Sequence, residues 1–209
     1  MFHYLLIFMF TVLIMHLTPG PSMLYCVLTS TQAGRSAAIV AAIGLELGTF
    51  FYVLLAGTSL SALITTSPSL YTGLKILGSA YLLYMSYKAL PMHNVATTNK
   101  FSPPKVGKLI GGFLINITNP SILLFFITLL PQFVPINNNS TLMFFLLGLA
   151  FNLSSFIVSL GVIFCSHKIQ YRLTHATQLN QVLKYIPGAM FFLIATLPIL
   201  SMTYNYFTT

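Results

Sequence analysis

Thr18-Pro19-Gly20-Pro21-Ser22-Met23-Leu24 breaks an apolar helical run that opens near Phe2, and Thr118-Asn119-Pro120-Ser121-Ile122-Leu123 breaks another run at a similar depth. A proline inside a helix removes one backbone donor and leaves the carbonyl about one turn earlier without its usual partner. Pro19 and Pro21 free the carbonyls of Met15 and Leu17, and Pro120 frees that of Asn116. Inside a bilayer such groups must meet protein or a wet cavity. Past each break the helix restarts with unpaired amides and a partial positive charge, while the carbonyls before it carry the opposite sign.

The surroundings of both breaks are membrane-like. Hydrophobic residues make up 56% of the 209, charged residues 5%, and Glu46 is the single acid, too little polar surface to cover a soluble globule. Spans of about 20 residues fit at roughly 2–28, 38–62, 69–90, 107–131, 141–165 and 185–206. Eight of the nine Lys and Arg (Arg35, Lys88, Lys100, Lys105, Lys108, Lys168, Arg172, Lys184) fall in or beside the first, third and fifth gaps. Basic residues in short loops stay on the cytoplasmic side, so both termini are expected outside the cytoplasm. On a soluble domain a net charge of +8 would suggest nucleic acid. Here no aromatic residues interleave with the charges, and anionic lipid headgroups are the expected partner. The leading end lacks the basic n-region of a signal peptide, so the first run is expected to be a retained helix.

Six spans use up most of the chain, giving one all-α integral membrane domain over 1–209. The polar segment from Pro91 to Pro104 falls within a linker of about 91–106 between a repeat of about 1–90 and a repeat of about 107–209. Three spans per repeat is an odd number, so the second repeat enters the membrane from the opposite face. Two inverted three-helix repeats with broken first and fourth helices point to the binding site of a secondary transporter. Thr18, Pro19, Gly20, Pro21, Ser22, Asn116, Asn119, Pro120 and Ser121 are the expected substrate-binding residues. Two facing breaks would offer both partial signs to an α-amino acid zwitterion. No nucleotide loop or metal-ligand spacing is present, so no enzyme activity, cofactor or metal is expected.

Glu46 lies within the second span, where an ionised carboxylate costs about 2.5–3.5 kcal/mol on insertion scales, so it should be protonated, hydrated or paired. It is the expected proton-coupling residue or a partner for substrate ammonium; a fixed ion pair with Lys75, the one basic residue inside a span, is the alternative. His16, one turn before the first break, could relay protons but is read first as a helix-packing residue. Gly44-x-x-x-Gly48, with Gly73, Gly78 and Ala80, is read as allowing close helix contact. Cys26 and Cys165 read as small buried hydrophobes.

The chain resembles the LysE/RhtB family of amino-acid exporters, the lysine exporter and homoserine/threonine efflux group, from about Leu5 to about Leu200. The residues that carry the likeness are Leu17-Thr18-Pro19-Gly20-Pro21, Gly34-Arg35 followed by Gly44-x-x-x-Gly48, and Gly78-Ser79-Ala80-Tyr81-Leu82-Leu83-Tyr84. Gly112-Phe113-Leu114-Ile115-Asn116-Ile117-Thr118-Asn119-Pro120 and Leu130-Pro131-Gln132-Phe133 follow in order. The resemblance implies efflux of amino acids or close derivatives from a bacterial cytoplasm, across the inner membrane, by proton antiport; a homo-oligomer is a further expected partner arrangement. Ser121 stands where the family commonly has Lys, and Thr49 where it often has an acid, so the role of Glu46 rests on its own setting. A membrane thiol-disulfide electron carrier of related architecture is the alternative. It would need a reactive Cys in each broken helix, and the fourth span has none.

Overall fold

The computed structural model describes residues 2–17, 20–60, 62, 67–88, 106–134, 140–166, 168, 188–189, 192–193 and 195–196, which are all-α with no strand among them. Helix α1 (Phe2–Leu17) and helix α2 (Pro21–Ala33) form the first broken span, with axes 50° apart across the break. Gly20 is extended, Pro21 is the first residue of α2, and Leu24 N–H donates to Gly20 O at 3.0 Å. The donor that proline lacks therefore falls where a helix has no internal use for one.

Gly34 alone separates α2 from α3 (Arg35–Leu55), and its φ of 87° lies where a side chain would be strained. Helix α3 continues through a π-helical segment, Ala56–Leu60. Helix α4 spans Pro68–Lys88. The second broken span is α5 (Lys108–Ile117) and α6 (Pro120–Leu124), and α6 runs on as a π-helical segment, Phe125–Leu129. The axes of Lys108–Ile117 and Pro120–Leu129 also differ by 50°. A 3₁₀ turn, Leu130–Phe133, and a long helix α7, Ser140–Phe164, follow.

Arg35–Leu60 and Ser140–Phe164 are each long and apolar enough to cross a membrane, and counting each bent pair as one span makes four such crossings among the described residues. Helix α4 matches the expected third span but is less apolar. The expected sixth span and the linker lie largely or wholly outside the described residues, so the count of six stays a sequence expectation. The first span also runs further than read from sequence, to Ala33.

The directions of the crossings follow from their contacts. Ser22 meets Asn116 and Tyr25 meets Lys108, so the two broken spans run antiparallel. Asn152 and Ser155 meet Glu46 while Gly148 packs on Val53, so α3 and α7 are antiparallel as well. Arg35, lying 5.5 Å over the Phe164 ring, and Lys108 come to the same end of the bundle.

Helices α3 and α5 make the most extensive contact of the fold, and they run parallel. A Cβ on Gly44 would strike the Leu109 carbonyl, and one on Gly112 would strike that of Ala41. At Gly48 it would lie 2.8 Å from Asn116 Cβ. The expected packing role of Gly44 and Gly48 holds, with Gly112 as the reciprocal glycine. Gly73 does not share it, since nothing lies within 4 Å of a Cβ there.

One apolar cluster fills the end of the bundle away from Arg35 and Lys108. It includes Phe8, Tyr52, Phe125, Phe126, Phe144 and Phe151. A second, around Tyr25, Ala38, Ala41, Leu45, Ile115 and Ile163, fills the end near them. Gly44→Ala should destabilise the folded protein by about 1–3 kcal/mol through overpacking, and Gly73→Ala should not. Thermal unfolding in detergent checks both, and equal stability of the two variants would refute the close approach.

Candidate functional site

The two breaks meet through one hydroxyl. Ser22 Oγ donates to Asn116 Oδ1 at 2.6 Å, and Asn119 Nδ2 lies 3.5 Å from Ser22 Oγ. Ser22 is the second residue of α2; Asn116 is the last but one of the first half of the fourth span and Asn119 caps its second half. Asn119 Oδ1 accepts from Ser121 N–H at 3.0 Å, the bond by which an Asn side chain starts a helix. Both breaks therefore restart alike, with an extended cap, a proline and a serine.

The freed carbonyls of the second break find protein partners. The Asn116 carbonyl, expected to be left open by Pro120, accepts from Asn119 N–H at 3.0 Å instead. The Ile117 carbonyl accepts from the Tyr52 hydroxyl. Asn116 Nδ2 donates to Leu45 O and to Thr49 Oγ1, each at 2.7 Å, so its whole amide is engaged in tying α2, α3 and α5 together. This buried amide is a joint of the scaffold first and a ligand group second.

A cavity of about 210 Å³ opens beside this joint. Of the expected substrate-binding residues, Gly20, Pro21, Ser22, Asn116, Asn119 and Ser121 line it. Pro120 is exposed and stands off the cavity; its part is to end α5. Thr18 and Pro19 lie outside the described residues. Ser22 sits eleven residues from the end of α2 and Asn116 eight from the start of α5, which is about 16 Å and 12 Å at 1.5 Å per residue. With those helix ends at one face, the joint would lie near the middle of a hydrocarbon layer of about 30 Å.

The fifth span supplies a wall that the sequence reading missed. Phe151, Ser155, Val158, Ser159 and Val162 of α7 line the cavity. Asn152, Ser155 and Ser159 recur at helical spacing along one stripe of an otherwise apolar helix, and that period was the available signal. His16 also lines the cavity. Its Nε2 lies 3.3 Å from the Phe151 carbonyl and its ring 4.5 Å from the Phe151 ring, which fits the packing role and adds a cavity surface. Phe151 in turn stacks on Phe125 at 4.2 Å, so the aromatic cluster borders the cavity on the side away from Arg35.

Glu46 does not line this cavity. It is buried between α3 and α7, where Oε1 accepts from Ser155 Oγ at 2.8 Å and the backbone carbonyl accepts from Asn152 Nδ2 at 2.9 Å. Oε2 is buried with no hydrogen-bond partner among the described residues. On its other side Glu46 borders a groove with Ile43, Leu47, Phe50, Leu153 and Phe156. One serine thus separates the only acid from the cavity. The side chain of Lys75, the alternative ion-pair partner, lies outside the described residues.

Cys26 is buried and lines the cavity, whereas Cys165 is exposed beyond the end of α7; both are free thiols. The expectation that both are buried hydrophobes therefore fails for Cys165. No group of three or more His, Cys, Asp or Glu that could hold a metal occurs among the described residues. The arrangement can hold a small polar solute by hydroxyl, amide and helix-end groups. Asn116→Ala should cost about 1–3 kcal/mol in stability, because it strips partners from buried groups at the joint; unfolding at wild-type temperature would show that the joint is dispensable. Double replacement of Cys26 and Cys165 by Ser should leave solute flux in vesicles within about twofold of wild type, and its loss would favour thiol chemistry.

A family model for the LysE type translocator matches residues 13–201. The chain is similar to an uncharacterized membrane protein of Vibrio cholerae, 28% identical over 151 residues that cover 70% of this chain and 73% of that protein. It is also similar to the uncharacterized membrane protein YrhP of Bacillus subtilis, 30% identical over 148 residues, 66% of this chain and 70% of that protein. No solved structure gives a significant match.

Proposed function

Because this chain belongs to the LysE type translocator family, a family of membrane transporters, we propose that it is a secondary transporter exporting amino acids or close derivatives from the cytoplasm by proton antiport. The observation that carries the reading is the meeting of two antiparallel broken helices, through Ser22, Asn116 and Asn119, beside a cavity. The first turn of α2 brings amides that a helix does not use internally to the cavity, suited to a carboxylate, and the hydroxyls of Ser121, Ser155 and Ser159 can take an ammonium's donors.

In this reading the chain is one domain of two inverted repeats in a bacterial inner membrane. Arg35, Lys108 and Lys168 face the cytoplasm, both termini lie outside, lipids surround it and copies associate. Substrate enters from the end bearing the basic residues, a direction supported by the stacked aromatic cluster around Phe125 and Phe151 that borders the cavity at the other end. Rocking of the halves about the breaks then exposes the site outward. Glu46 takes the proton, with Ser155 as the link between its carboxyl and the cavity.

Glu46→Gln keeps the acceptor toward Ser155 but holds no exchangeable charge. It should abolish proton-driven efflux in everted vesicles while leaving expression and membrane insertion at wild-type level. Coupled efflux that persists in this variant would discard Glu46 as the coupling residue.

A further inference from the structure

Resting on the reading of the cavity as an amino-acid site, we propose that it admits small solutes whose side chain is uncharged and rejects those with a cationic side chain. The first argument is the supply of counter-ions. A cationic side chain drawn into a low-dielectric site needs an opposite charge or dense hydrogen bonding. The whole chain has a single acid, Glu46, so residues outside the described set have none to add. That acid does not line the cavity: Oε1 is held by Ser155, and the residue borders a separate groove at the α3–α7 contact.

The second argument is the lining itself. The polar side chains that line the cavity are Ser22, Asn116, Asn119, Ser121, Ser155, Ser159, His16 and the Cys26 thiol, and no Lys, Arg, Asp or Glu lines it among the described residues. Between them stand Met15, Met23, Ile122, Phe151, Val158 and Val162, which suit an apolar or hydroxylated side chain. The cavity is also compact, about 210 Å³ against about 300–1,000 Å³ for drug-sized sites.

The test is counterflow with the purified full chain in proteoliposomes, which needs no ion gradient and so does not depend on the coupling residue. Labelled serine, threonine and valine are compared with lysine and arginine. The uncharged set should exchange at least tenfold faster than the basic pair. Exchange of lysine or arginine at a comparable rate would overturn the selectivity while leaving amino-acid export intact. Absence of exchange for every amino acid would overturn the exporter reading and this inference with it. Ser159→Asp, checked for folding by size exclusion, supplies the missing counter-ion and should raise lysine exchange at least fivefold relative to serine. A folded variant with lysine exchange unchanged would show that charge is not what keeps lysine out.

Discussion

A peptide group without its helical partner has no water to turn to in the middle of a bilayer, and the architecture at the centre of this protein follows from that constraint. Two helices are interrupted by proline, and the peptide groups freed there must find partners within the protein. Tyr52 of α3 closes the Ile117 carbonyl, and Asn116 takes its own cap neighbour as donor. Ser22 reaches across from the other break to complete the joint. Breaks joined through these side chains cannot drift apart at no cost, so the place where the helices are interrupted is also where they are tied together.

That joint depends on how closely α3 and α5 approach. Gly44 and Gly112 let each helix lie directly on the other's backbone, and only at that separation does the Asn116 amide reach both Leu45 O and Thr49 Oγ1. The small-residue contact and the polar contact are therefore one device. Glycine brings the backbones together, and asparagine then fixes their register with hydrogen bonds that the surrounding lipid cannot replace. On the far side of α3 the same helix presents Glu46 to α7, so a single element positions both the scaffold amide and the only acid.

The cavity has an unequal surround, which gives the fold a direction. Toward one end the Phe8, Phe125, Phe126 and Phe151 rings pack against each other with centroids 4.2–6.2 Å apart. Toward the other end lie smaller residues, with Ala38, Ala41 and Ala42 among them, and the basic residues beyond. Large stacked rings resist separation more than a seam of alanines does, since they bury more apolar area per residue.

Part of the architecture was legible from the chain alone. Long apolar runs and the two proline breaks pointed to the all-α membrane class, to the two bent helix pairs, and to Ser22, Asn116, Asn119 and Ser121 as residues grouped at the breaks, because bilayer thickness and proline stereochemistry act locally. The wall supplied by Ser155 and Ser159, the engagement of Asn116 in packing, and the seating of Glu46 behind Ser155 were decided only by tertiary structure. Whether a side chain on a membrane helix faces lipid, a neighbour or a hollow depends on how that helix is rotated against the others, and rotation is set by contacts between residues about a hundred positions apart, such as Glu46 with Ser155.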